Sequence, residues 1–133
     1  MAKHRAHRPK KNAGGELIFV YNVDTGVIND LRSTLKRYTD PENHDCQLIM
    51  LSWGLFGIKT EWERFLGRLP YSTFFIHRDV FIAQYPHRKF HPLPAIFVKK
   101  EGSLYQIFDR SELLEIKDLS TLEKKLQQKL KQF

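Results

Sequence analysis

The sequence predicts an α/β domain built on one mixed sheet, and three observations point there. Short apolar runs rich in β-branched and aromatic residues recur at 17–21, 46–53, 72–77 and 95–98. Stretches with helical spacing or helix-start signals fall between and after them. A Glu101-Gly102 pair joins the last of these runs to another apolar stretch, Leu104 to Phe108, as a hairpin turn would. The length of 133 residues suits one domain with one hydrophobic core.

The elements follow in order. Residues 1–15, MAKHRAHRPKKNAGG, carry Lys3, Arg5, Arg8, Lys10 and Lys11 with no acid and almost no apolar side chain, so the expectation is a disordered basic tail. The chain has 22 Lys and Arg against 15 Asp and Glu; taking the tail's five away leaves 17 against 15, so the basic character belongs largely to the tail. Residues 16–133 form the folded domain. LIFVY at 17–21 reads as a strand covered on both faces. Val27, Leu31, Leu35 and Tyr38 then recur at helical spacing, with Asp24 or Thr25 as N-cap. CQLIMLSW, 46–53, reads as a second buried strand, and Thr60 with Glu63 forms a capping-box pattern opening a helix to about Leu69.

STFFIH, 72–77, reads as a third strand and RDVFIAQY, 78–85, as a short helix closed by Pro86. Ala95 to Val98 is the fourth strand, with Leu93-Pro94 directly before it. A proline cannot donate to a ladder, so its place at the mouth of a buried strand suggests a cis bond that shapes a site. The chain closes in a helix: Ser120 and Glu123 give a second capping box, and Leu122, Leu126, Leu130 and Phe133 line one face. The summed order is β-α-β-α-β-α-β-β-α, parallel strands followed by a hairpin and a closing helix.

The stretch LPAIFVKKEGSLYQIF resembles the part of thioredoxin-like proteins in which a cis-proline precedes a central strand, followed by a glycine turn and an edge strand. LIFVYNVDTG and SWGLFGIKTEWERFL further resemble a group of small bacterial proteins without an assigned activity, over Leu17 to about Leu130. The resemblance implies a thioredoxin-like three-layer sandwich. In redox members of that superfamily a Cys-x-x-Cys or Cys-x-x-Ser at a helix N-terminus faces the cis-proline, where the dipole lowers the thiol pKa. The corresponding loop here is either 22–26, NVDTG, or 52–60, SWGLFGIKT, and neither contains cysteine. The single Cys46 falls at the far end of its strand, as a structural thiol. A dithiol oxidoreductase is therefore not expected.

The strand ends and helix starts that would face Pro94 carry Asn22, Asp24, Thr25, Trp53, Gly54, Lys59 and Thr60, with Leu93 beside the proline. Open α/β sheets bind ligands at that carboxyl edge. These residues also have plain structural uses in capping, packing and turn geometry. The expected function is binding of a partner protein or a small anionic or thiol-bearing ligand at the proline-edged groove, with Trp62, Phe75 or Phe81 extending the surface. The alternative is a glutathione- or thiol-dependent enzyme, and the basic residues between 3 and 11 suggest weak nucleic-acid contact. No cofactor is expected. His87-x-x-x-His91 lies between Pro86 and Pro92, where a helix is disfavoured, so no metal site is expected there. No apolar segment suits a signal sequence or a transmembrane span, and one cysteine fits a reducing compartment, so the expectation is a cytoplasmic protein. Walker, Gly-x-Gly-x-x-Gly, Gly-x-Ser-x-Gly and His-Glu-x-x-His motifs do not occur.

Overall fold

The computed structural model describes residues 7–10, 14–22, 47–54, 57–88 and 91–133. The helix expected over 27–38, its caps Asp24 and Thr25, and Cys46 lie outside the described residues. The chain is α/β with a mixed sheet. Its strands are β1 (His7–Arg8), β2 (Glu16–Val20), β5 (Ser72–Ile76), β6 (Ala95–Lys100) and β7 (Ser103–Phe108), in the spatial order β1-β5-β2-β6-β7. A separate two-stranded ribbon joins β3 (Trp53–Gly54) to β4 (Gly57–Ile58). The helices are α1 (Gln47–Ser52), α2 (Thr60–Arg68), α3 (Arg78–Gln84), α4 (Arg110–Glu115) and α5 (Leu119–Leu130), with a 3-10 turn at Pro86–Arg88.

Strand β2 is the centre. It pairs parallel with β5, Val20 opposite Ile76, and antiparallel with β6, Val20 opposite Ala95. Its apolar run is continuous because both faces are covered. Leu17, Phe19 and Tyr21 feed one core cluster with residues of α1, α2, α4 and α5, whereas Ile18 and Val20 feed a second with Phe81 of α3, Ala95 and Phe97. The first core is rich in aromatic contacts: Phe19 stacks on Phe75 at 4.7 Å and meets Trp62 edge-on at 5.4 Å.

The β6–β7 hairpin forms as the sequence suggests. Glu101 and Gly102 both take positive φ, 52° and 80°, the primed-turn geometry that matches strand twist. A bulge follows: Ile96 faces Phe108 while Phe97 faces Gln106, leaving Ile107 as the extra residue. The Leu93-Pro94 peptide is cis.

Several expectations are corrected. Residues 47–52 are helical where the second buried strand is expected, and β2 pairs directly with β5. An apolar run of this length fits either state. Gln, Leu and Met are good helix formers, Leu48 and Leu51 place one face in the core, and the Ser52 hydroxyl donates to the Leu48 carbonyl one turn back at 2.5 Å.

Helix α2 opens at Lys59 without a side-chain cap, and Thr60 is its first helical residue; Glu61 and Glu63 meet the dipole instead. Helix α5 is capped by Asp118, whose carboxylate accepts from the Thr121 amide at 2.7 Å, two residues before the Ser120 expected in that role. Glu123 is turned toward Glu61 of α2. Burial first, and the negative charge of Glu61 second, push its carboxyl up to about 7, against the opposing pull of Arg68. Leu119 joins Leu122, Leu126 and Leu130 on the buried face, but Phe133 is 40% exposed beside Tyr105.

Part of the presumed tail also belongs to the fold. His7 and Arg8 pair antiparallel with Phe74 and Thr73. The Lys10 amide donates to Ser72 Oγ at 2.8 Å, and its ammonium donates to the carbonyls of Leu66, Gly67 and Leu69 at the end of α2. These carbonyls end the helix, where the dipole favours a cation; the Leu66 carbonyl also accepts from the Leu69 amide at 3.1 Å.

Candidate functional site

The sheet itself assembles an edge at the carboxyl ends of β2 and β5 and the start of β6. Past the last ladder pair the Tyr21 amide still donates to the Ile76 carbonyl at 3.0 Å. Tyr21 and Asn22 are thereby held beside His77 and Arg78, and the antiparallel register brings Ala95, hence Leu93 and Pro94, to the other side. The Tyr21 ring is buried, 5.8 Å from Phe75 and 6.1 Å from His77. Arg78 Nη1 donates to Asn22 Oδ1 at 3.4 Å. Leu93 is 6% exposed and Pro94 is buried.

Arg110 completes the edge. Because β7 returns antiparallel along β6, its end lies next to the start of β6, and the first residue of α4 stands over Leu93. Arg110 Nη1 donates to the Leu93 carbonyl at 2.7 Å. Its position is fixed by a capping box: Asp109 Oδ1 accepts from the Glu112 amide at 2.8 Å while Glu112 Oε1 accepts from the Asp109 amide. Glu112 also pairs with Lys129 of α5 at 2.6 Å, which ties α4 to the closing helix.

Of the residues expected at the site, the sheet brings together Asn22, Leu93 and Pro94. Trp53 and Gly54 belong to the separate ribbon, paired with Ile58 and Gly57. Lys59 and Thr60 are exposed at the start of α2, which the Lys59 amide anchors to the Ser52 carbonyl at 2.9 Å. Asp24 and Thr25 lie outside the described residues. Trp62, Phe75 and Phe81 do not extend a surface: they are 0%, 4% and 0% exposed, because each packs on neighbouring rings in the two cores. Arg78 and Arg110 were not expected. The Asp109-x-x-Glu112 pattern just after the hairpin signals the helix start that delivers Arg110.

Two guanidinium groups, a carboxamide and a proline-ended strand make a surface suited to binding groups that accept hydrogen bonds. Among the described residues no cysteine stands at this edge, and no group of three His, Cys, Asp or Glu is placed to hold a metal ion. His91 and Arg88 instead flank the Phe97 ring, the imidazole 5.8 Å and the guanidinium 5.5 Å from its centre. No helix among the described residues is long and apolar enough to cross a membrane. Comparisons with protein-family models, curated proteins and solved structures found no match.

Proposed function

We propose that the chain is a thioredoxin-like domain that binds a small anionic ligand at the Pro94 edge and does no dithiol chemistry. The strand order β5-β2-β6-β7, one parallel pairing followed by two antiparallel ones and a closing helix, supports the fold reading. The observation that carries the ligand class is the bond from Arg110 to the Leu93 carbonyl at 2.7 Å. An extended peptide pairing with the residue before Pro94 would compete with Arg110 for that carbonyl. A carboxylate or other oxyanion would meet the guanidinium directly, with Arg78 at the neighbouring strand end. The basic segment fits nucleic-acid contact less well, because the Lys10 ammonium already donates to three backbone carbonyls.

An amide-resolved NMR titration of the full chain with reduced and oxidised glutathione, each bearing two or more carboxylates, tests the reading. Saturable shifts at Asn22, Leu93 and Arg110 that disappear in Arg110→Met are expected. A silent edge with both forms, or shifts insensitive to Arg110→Met, would sink it. Shifts limited to residues 3–11 on adding a short RNA would move the function to the basic segment.

A further inference from the structure

We propose that the opposite end of the sheet holds a second binding site, a cleft that takes the phosphate group of a small phosphate ester. The cleft measures about 540 Å³ and lies where the chain enters β2 and β5 and leaves β6. Small residues make the room: Gly14 and Gly15 before β2, Ser72 at the start of β5, and Gly102 in the hairpin turn. At Gly15 a Cβ would stand 3.0 Å from the Lys99 carbonyl oxygen and 3.4 Å from the Tyr71 ring, so no side chain can occupy that wall without displacing backbone. The floor is fixed by the Gly14 amide donating to Pro70 O at 2.9 Å and the Ser72 amide donating to Gly15 O at 3.1 Å.

The polar groups lining this space point to an oxyanion. Ser72 is 6% exposed; its oxygen accepts from the Lys10 amide, and its hydroxyl proton has no acceptor among the described residues. Lys99 and Lys100 are half-buried along the cleft without an ion pair among the described residues, although Lys99 stands opposite Glu16 in the ladder. The ammonium of Lys10 is committed to three carbonyls, so it contributes charge without a donor. Three ammonium groups face two carboxylates, those of Glu16 and Glu101. Lys99 and Lys100 leave β6 on opposite faces of the sheet, so they border the cleft from its two sides, where their ammonium groups and the Ser72 hydroxyl match the acceptor oxygens of a phosphate; Glu16, which stands between Lys99 and Ser72 in the ladder, and Glu101 accept from hydroxyl or amino groups on the rest of the ester. The volume exceeds what one phosphate fills, which leaves space for that remainder.

The test is an amide-resolved titration of the full chain with inorganic phosphate at constant ionic strength, with chloride as the control. The expected result is saturable shifts at Gly15, Ser72 and Gly102. Lys100→Met should weaken phosphate binding about tenfold, the loss of roughly one charge-assisted contact, with an unchanged spectrum elsewhere. Lys99→Met, read the same way, guards against one variant misfolding. Shifts that do not saturate, that chloride reproduces, or that neither variant alters would overturn the site. Shifts at Asn22, Leu93 and Arg110 in place of Gly15 and Ser72 would also overturn it, while leaving the Pro94 edge in play.

Discussion

The two ends of the sheet use one device for different purposes. At one end the Lys10 ammonium meets the carbonyls of Leu66, Gly67 and Leu69; at the other the Arg110 guanidinium meets the carbonyl of Leu93. An ammonium has three donors, and three carbonyls saturate it, so Lys10 serves as a rivet between the N-terminal segment and α2. A guanidinium has five donors in a planar fork, and the bond to the Leu93 carbonyl helps hold that fork at the strand ends. Saturation makes the first cation structural, whereas recognition by the second is what the proposed site requires.

Mutations can break or sharpen that contrast, the largest first. Phe19→Ala removes the ring between Trp62 and Phe75 in the shared core and should cost about 3–5 kcal/mol in urea unfolding, destabilising both ends together. Lys10→Met should cost about 2 kcal/mol, because the carbonyls ending α2 lose a charged donor, and it should leave glutathione binding at Asn22 and Leu93 unchanged. Arg110→Met should cost only about 1 kcal/mol yet abolish that binding. Equal stability losses for these two variants, with binding kept in both, would erase the distinction between rivet and recognition group.

The smallest effect concerns pH. Glu123, raised from 4.5 to about 7, keeps its proton in the folded chain where the unfolded chain has lost it. Its contribution to stability is therefore complete below about pH 4.5 and is lost as pH rises through 7. Urea midpoints measured across that interval should fall with pH in the parent chain and fall less in Glu123→Gln. A parallel decline in the variant would assign the effect to other groups.

The sequence was most legible where local chemistry and tertiary context agree. Ala95 to Phe108 combines strand formers with the one Glu-Gly pair able to turn them, and STFFI pairs in the sheet as its composition suggests. Legibility failed where the two levels were in competition. QLIMLS carries apolar residues at every relevant spacing, and helix propensity together with packing of Leu48 and Leu51 against the first core selects helix. The Thr60 and Ser120 boxes match a pattern, yet neither residue caps its helix: Lys59 and Asp118 hold the N-cap positions, and the box that forms is the one at Asp109 and Glu112. Part of the site is assembled by register and not by neighbouring sequence. Arg78 and Arg110 become neighbours of Asn22 and Leu93 through strand register, and Lys10 reaches α2 across more than fifty residues of sequence.

The strap formed by β1 and Lys10 has a bearing on self-association. Strand β5 would otherwise present its outer ladder groups to any passing strand, and among the described residues His7 and Arg8 cover that side. So slight a cover, two ladder residues and one riveted ammonium, can lift while the core stays folded. Removing residues 7–10 would uncover the outer ladder groups of β5 at Thr73 and Phe74 and turn that edge into an adhesive margin for a strand from another copy.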